Sequence, residues 1–211
     1  MIDEALRAAA RRVLDACRAK NLKLAVAESC TGGLLAAALT EIPGSSDVFD
    51  RGFVTYSNAA KQAMLGVPAS VLETRGSVSK ETAEAMAMGA LERSGADVTA
   101  AVTGIAGPGG GSAAKPVGTV HLAIAGPPRA PGPAGVEVDH RRLRLPGGRE
   151  RIRWQASQIA LDMLRRRLLA AAAGGIAGGG SADGAGAKAA AEAGASALPE
   201  AAAGGGPRRA S

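Results

Sequence analysis

Residues 22–39 read LKLAVAESCTGGLLAAAL, and this stretch decides the fold class. Its first part, residues 22–27, is a short apolar run that ends at polar residues, which predicts a buried β-strand. The glycine pair at 32–33 then separates the strand from a second apolar run at 34–39, which predicts a helix. A strand that passes through a glycine turn into a helix is the building unit of α/β proteins.

The same alternation continues along the rest of the chain. The patterns predict further strands over 51–56, 97–103, 117–125 and 136–145, and helices over 3–19, 58–65, 79–93 and 148–169. Residues 136–145 alternate in polarity like a half-exposed antiparallel strand. We therefore predict an α/β three-layer sandwich, with a mixed β-sheet and helices on both faces.

The last part of the chain differs in composition from the rest. Of the 42 residues in 170–211, 29 are Ala or Gly and none is aromatic. Such a segment lacks the large apolar side chains that offset the loss of chain entropy on folding. The 211 residues therefore predict one folded domain over 1–169 and a disordered tail over 170–211.

Several protein classes are excluded by the composition. No apolar run reaches the roughly 18 residues that a membrane-spanning helix needs. The acidic start, MIDE, is not that of a secretory signal, and the two cysteines make neither a disulfide framework nor a zinc site. We expect a cytoplasmic protein with no metal ion, no other cofactor and no membrane partner.

The net charge of +6 is concentrated in one segment, because nine arginines lie between residues 140 and 170. Three interpretations fit these arginines: a solvated helix face, a nucleic-acid patch, or a site for a phosphorylated small molecule. We do not expect nucleic acid, because the segment has a single aromatic residue, Trp154, for base stacking.

Three motifs offer chemically active side chains, and the first is Ala27 to Gly33, AESCTGG. A nucleophile here would face the carboxyl edge of the sheet, where ligands of open α/β sheets bind. Free N–H groups at the start of the following helix would favour an anion or an oxyanion. The alternative is a capped turn in which Ser29 or Thr31 accepts backbone N–H bonds.

The second motif, Thr55 to Lys61 (TYSNAAK), places a lysine in the first turn of a helix that Asn58 would cap. The positive end of the helix dipole disfavours an ammonium there, which suits a general base. The alternatives are a surface lysine and, for Tyr56, one member of a local aromatic cluster.

The third motif, Thr103 to Ser112 (TGIAGPGGGS), fits neither common nucleotide-binding loop. Its glycines would let the backbone approach a ligand closely, or they form a flexible connector.

The chain offers few alternatives for nucleophilic catalysis, because its two histidines, His121 and His140, lie in predicted strands. A catalytic Cys30 would also need a histidine partner. Ser with Lys is a known variant of the nucleophile-and-base pair. Ser29 with Lys61, assisted by Tyr56, is therefore the best hydrolytic group in the sequence.

These motifs stand in a fixed order, with Lys115 to Val120, KPVGTV, as a fourth. Together they closely resemble the CinA carboxy-terminal domain family, over roughly residues 6–169. The resemblance implies nicotinamide-nucleotide amidohydrolase activity: nicotinamide mononucleotide and water give nicotinate mononucleotide and ammonia, without a cofactor.

By position in the motifs, the resemblance implies that Ser29 is the nucleophile, that Lys61 accepts its proton and that Tyr56 belongs to the same catalytic group. The residues expected at the substrate are Thr31, Gly32, Gly33, Asn58, Thr103, Gly107 and Arg149, with Arg149 on the phosphate.

We expect a pyridine mononucleotide as the small-molecule partner and a homo-oligomer, a dimer or larger. Two other functions stay open: an inactive nucleotide-binding or regulatory module on the same fold, and an accessory protein associated with competence or DNA damage.

Overall fold

A computed structural model describes residues 2–128 and 135–170. The elements follow each other as α1 (Glu4–Arg18), β1 (Leu24–Glu28), α2 (Leu34–Thr40), a 3-10 turn (Ser45–Asp47), β2 (Phe49–Val54), α3 (Asn58–Leu65), α4 (Ala69–Thr74), α5 (Lys80–Glu92), β3 (Val98–Gly104), β4 (Thr119–Gly126), β5 (Glu137–Arg144) and α6 (Arg149–Ala170). The predicted tail over 170–211 lies outside the described residues, apart from Ala170 at the end of α6.

The five strands form one mixed sheet in the order β2-β1-β3-β4-β5. β1 pairs in parallel with β2 and with β3, whereas β3, β4 and β5 pair antiparallel. β1 and β4 are buried along their whole length and β5 is half-exposed, as its alternating sequence predicts. The α/β prediction with a mixed sheet is confirmed.

Helices cover both faces of the sheet, each over its own apolar cluster. One cluster joins α1, α2 and α6 to the sheet, and the other joins α3, α4 and α5 to the opposite face. On α1 the buried stripe is Leu6, Ala9, Ala10, Val13, Leu14 and Cys17, which repeats at helical spacing. Each fully buried leucine of this kind contributes about 1.5–3 kcal/mol.

Two details of the α3–α5 layer differ from the prediction. The N-cap of α3 is Ser57, whose side chain accepts a hydrogen bond from the Ala60 backbone N–H, so Asn58 is the first helical residue and not the cap. The short helix α4 was missed, since six residues are too few to show a helical repeat. None of the helices in the described ranges is both long and apolar enough to cross a membrane.

One arginine of the basic segment is buried, so this segment is not a solvated helix face along its whole length. Arg167, near the end of α6, is 3% exposed and bonds the carboxylate of Asp139 and the carbonyls of Gly126, Pro127 and Glu137. It therefore ties α6 to β4 and β5.

Candidate active site

The site lies where β1, β2 and β3 end at the same edge of the sheet. These strands are parallel, so the segments that follow them converge there. An open cavity of about 430 Å³ occupies this edge. Six of the predicted site residues line it: Ser29, Tyr56, Lys61, Thr103, Gly107 and Arg149.

Ser29 and Lys61 form a buried pair at the base of this cavity. Lys61 Nζ lies 3.0 Å from Ser29 Oγ and donates a hydrogen bond of 2.8 Å to the Thr55 carbonyl. Ser29 is 8% exposed and Lys61 only 1%. An amine with these two neighbours can donate to the carbonyl and accept the hydroxyl proton of Ser29.

The position of Lys61 follows from how α3 begins and packs. Ser57 caps the helix, and the Lys61 N–H bonds the Ser57 carbonyl, so the lysine ends the first turn, as predicted. Further along, α3 touches α5 at Gly89, where any side chain would collide with the Leu65 carbonyl. This close approach packs α3 against α5, and Lys61 and Leu65 are the buried residues of α3.

Burial lowers the pKa of the Lys61 ammonium below its ordinary value, because the charged form loses its solvation. The nearby Cys30 opposes this shift only as a secondary influence. A lowered pKa increases the fraction of neutral amine near neutral pH, which a general base requires.

Cys30, the rival nucleophile, is buried beside Gly104 and is 5% exposed. Burial raises the pKa of its thiol to about 12, so the thiol stays protonated at neutral pH. Since the thiolate is the reactive form, this environment disfavours Cys30 as a nucleophile.

The backbone N–H groups at the start of α2 already have a hydrogen-bond partner within the protein, so they are not available to a ligand. The fully buried carboxylate of Glu28 accepts hydrogen bonds from the backbone N–H groups of Gly33, Leu35 and Ala36, at 2.8–3.1 Å. The prediction of free N–H groups here is wrong, because a side chain of the protein already supplies the anion. Any oxyanion must be stabilised elsewhere.

Four predicted substrate-binding residues do not line the cavity: Thr31, Gly32, Gly33 and Asn58. Thr31 is fully buried, its hydroxyl has no hydrogen-bond partner among the described residues, and its carbonyl accepts hydrogen bonds from Arg153. Gly32 and Gly33 have positive φ and turn the chain from β1 into α2. Asn58 is exposed on the first turn of α3.

Arg149 and Tyr56 meet at the mouth of the cavity. Arg149 opens α6 and donates to the Tyr56 hydroxyl at 2.8 Å and to the Gly107 carbonyl at 3.0 Å. Tyr56 is 59% exposed, so its ring is a free wall of the cavity. This link was not predicted, because Tyr56, which follows β2, and Arg149 lie far apart in the sequence.

Two residues of the opposite wall, Ser77 and Lys115, were not predicted, whereas Thr103 was. Thr103 donates its hydroxyl hydrogen to the Ser77 carbonyl at 2.6 Å, which fixes the α4–α5 connection beside the cavity. Lys115 lines the cavity too and belongs to the fourth quoted motif, to which no role was given. Within the described ranges, His, Cys, Asp and Glu form no group of three or more that could hold a metal ion.

Comparison with known families identifies a match over most of the chain. The model of the CinA C-terminal domain matches residues 6–168. A CinA-like protein of Mycobacterium avium is 52% identical over 145 residues, which are 68% of this chain and 32% of that protein. A CinA-like protein of Desulfotalea psychrophila is 53% identical over 147 residues, 70% of this chain and 34% of that protein. The chain thus spans about a third of the length of these curated relatives.

Solved structures show the same architecture. The crystal structure of a competence/damage inducible protein from Agrobacterium tumefaciens superposes with a TM-score of 0.73 and 49% identity, covering 79% of this chain and 98% of the other. A CinA superfamily protein from Klebsiella pneumoniae gives a TM-score of 0.71 and 35% identity, with coverages of 78% and 98%.

Proposed function

The chain belongs to the CinA C-terminal domain family, and on that premise we propose that it is an amidohydrolase. Its substrate would be nicotinamide mononucleotide, and its products nicotinate mononucleotide and ammonia. We place the reaction in the cytoplasm and expect the active protein to be a homo-oligomer.

The buried Ser29–Lys61 pair is the observation that carries this proposal. A lysine that is 1% exposed, whose hydrogen-bond partners in the described residues are a serine hydroxyl at 3.0 Å and a carbonyl, has little use as a structural ion. A neutral lysine beside a serine is instead a known means of activating the hydroxyl.

In the first half of the reaction, Ser29 Oγ attacks the carboxamide carbon while Lys61 takes the hydroxyl proton. The developing oxyanion needs a hydrogen-bond donor. The backbone N–H of Cys30 follows the nucleophile and forms no hydrogen bond to another described residue, so it is our candidate. Lys61 then gives the proton to the departing amide nitrogen, and ammonia leaves an ester on Ser29.

In the second half, water hydrolyses the ester. Lys61, neutral again, takes a proton from the water as it attacks the ester carbon. The tetrahedral intermediate collapses, the proton returns to Ser29 Oγ, and the carboxylate product leaves. Lys61 Nζ donates a hydrogen bond of 2.8 Å to the Thr55 carbonyl, which directs the amine at Ser29.

Two groups at the cavity mouth suit a pyridine mononucleotide. The exposed ring of Tyr56 offers a flat surface against which a heteroaromatic ring can stack. Arg149, which already holds the tyrosine hydroxyl, carries a positive charge that a phosphate dianion can approach.

The proposal is tested by measuring ammonia release from nicotinamide mononucleotide with wild-type protein and with Ser29→Ala and Cys30→Ala. We expect the first variant to lose activity and the second to keep it, because Ser29 hydrogen-bonds the Lys61 amine and the Cys30 thiol stays protonated. Both variants remove one small buried atom, so they are matched in their effect on packing.

Measurements of nucleotide binding distinguish an amidohydrolase from an inactive nucleotide-binding module. A wild-type protein that binds the nucleotide without releasing ammonia would be a regulatory module, which contradicts the proposal. Activity lost with Cys30→Ala but kept with Ser29→Ala would contradict the assignment of the nucleophile.

A further inference from the structure

A second cavity, of about 460 Å³, lies beside the first, and Val78 and Lys115 line both. Its other walls come from α4, the start of α5, β4 and β5. Among its polar side chains are those of Arg75, Glu81, Lys115, His121, His140 and Arg142. We call it the histidine cavity.

The two histidines of the chain form a direct pair in this cavity. His121 Nδ1 and His140 Nε2 are 2.9 Å apart, on the neighbouring strands β4 and β5. His121 is 7% exposed, so the pair is built into the sheet. With both rings neutral, one N–H is used within the pair, and one donor and one acceptor nitrogen remain. Adding a proton to the pair converts the acceptor into a second donor.

Two cations beside the pair lack a carboxylate partner. Lys115 donates to the Arg75 carbonyl at 2.8 Å, and Arg142 makes a long contact of 3.4 Å with the Ala114 carbonyl. In the described part of the chain, neither lies within 4 Å of a carboxylate. The one acidic residue lining the cavity, Glu81, lies 3.4 Å from the Arg75 guanidinium. The cavity therefore carries uncompensated positive charge.

We propose that the histidine cavity binds the phosphoryl group of a small molecule other than the amidase substrate. Lys115 and Arg142 supply charge, and the histidine pair supplies one donor, or two after it takes up a proton. An arginine fork together with imidazole donors matches a phosphate oxygen cluster, and a cavity of this size admits a phosphate monoester. Because Lys115 also lines the first cavity, ligand binding here can influence the amidase site.

Binding at this site is coupled to protons. Burial and, after it, the charges of His140, Arg142 and Lys115 lower the pKa of His121 to about 4. Burial also lowers the pKa of His140, with Lys80 acting in the same direction and Glu84 and Glu81 opposing it. A bound phosphate dianion would offset the cations of Lys115 and Arg142, so it should raise the pKa of the histidines. The phosphate dianion should accordingly bind more tightly as the pH falls into the range in which the histidines titrate, below 6.5.

NMR of the histidine rings tests this directly, since His121 and His140 are the only histidines in the chain. Inorganic phosphate is titrated against chloride at constant ionic strength, from about pH 4 to pH 8, with wild-type protein. We expect saturable shifts of both rings and a rise of about one unit in the pKa of at least one of them. Phosphate that leaves both ring signals unchanged would overturn the proposal.

Arg142→Gln is the test variant, and Arg141→Gln is its matched control. Both arginines are exposed on β5, but Arg142 shares the face of His140 and pairs with His121, whereas Arg141 pairs with Leu122. We expect Arg142→Gln to weaken phosphate binding about fivefold or more, which corresponds to about 1 kcal/mol, and Arg141→Gln to leave it unchanged. Equal losses in both variants would indicate a general charge effect and refute the site.

Saturation with nicotinamide mononucleotide distinguishes a separate ligand from the substrate. The phosphate-induced shifts should persist when the nucleotide is present. If the nucleotide abolishes them, this cavity holds the substrate's own phosphate and the proposal of a second ligand is wrong. The readout does not depend on turnover, so it stands apart from the test of amidase activity.

Discussion

Lys61 and Arg167 are both almost completely buried basic residues, but only Arg167 has carboxylates beside it in the described structure. Arg167, at the β4–β5 side of the sheet, lies 2.7 Å from Asp139 and 3.7 Å from Glu137, and it donates to three carbonyls. Lys61, at the carboxyl edge of β1 and β2, has a carbonyl and a serine hydroxyl as its hydrogen-bond partners in the described structure.

This difference distinguishes a basic residue that stabilises the fold from one that can act as a catalytic base. A buried charge with full compensation stays charged and connects secondary-structure elements. A buried amine without a carboxylate lowers its cost of burial by losing its proton, and it then becomes a base. The comparison therefore predicts distinct consequences for replacing each residue.

The largest expected effect is the loss of catalysis in Lys61→Arg. A guanidinium cannot give up its proton, so it cannot act as a base even where it fits. We expect kcat to fall by about 10³-fold or more, as for members of other catalytic groups. Ammonia release under saturating substrate measures it, and retention of most activity would remove Lys61 from the role of base.

Methionine in place of each cation compares their effects on stability. Arg167→Met should destabilise the fold by about 3 kcal/mol or more, because the acidic and carbonyl partners lose their donor. Lys61→Met should leave stability at pH 7 unchanged or raised, because an uncompensated amine leaves the interior. Chemical denaturation of both variants checks this. Equal destabilisation would mean that Lys61 is as structural as Arg167.

Arg149 is an intermediate case, a cation at the exposed mouth of the cavity. Arg149→Ala should weaken binding of nicotinamide mononucleotide by about 1–2 kcal/mol, in the range of a charged hydrogen bond partly open to solvent. Calorimetry with the nucleotide and with nicotinamide riboside compares a ligand with and without phosphate. Equal losses would show that Arg149 acts only by holding Tyr56.

The lowered pKa of Lys61 also predicts a dependence of activity on pH. Because the pKa of Lys61 is lowered in the fold, kcat/KM should rise about tenfold per pH unit up to that pKa and level off below 10.5. The free energy of unfolding depends on the same protonation of Lys61. The unfolded lysine holds its proton to higher pH, so the free energy of unfolding rises with pH between the folded and unfolded pKa values.

The Lys61→Met variant separates the contribution of Lys61 to this pH dependence from that of other groups. In Lys61→Met, the part of the pH dependence of stability that belongs to this window should disappear. A profile identical to that of the wild type would show that another group titrates there.

The sequence predicted the parts of the molecule that local patterns determine. The apolar runs around the glycine pair predicted β1 and α2, and the ends of the parallel strands with the segments that follow them placed Ser29, Lys61 and Thr103 at one cavity. Contacts between distant segments could not be predicted in this way. Nothing in the spacing distinguishes Arg167 from the other arginines of its segment, because its burial depends on β4 and β5. Likewise, Glu28 caps α2 only because the turn at 32–33 brings that helix back towards its carboxylate.

The most direct test of the Ser29–Lys61 assignment is to find the acyl group on the protein. Wild-type protein turning over nicotinamide mononucleotide is quenched in acid, digested and analysed by mass spectrometry. The account predicts a nucleotide ester on Ser29, which forms far more slowly in Lys61→Met and is absent in Ser29→Ala. An adduct on Cys30, or full turnover in Ser29→Ala, would contradict it.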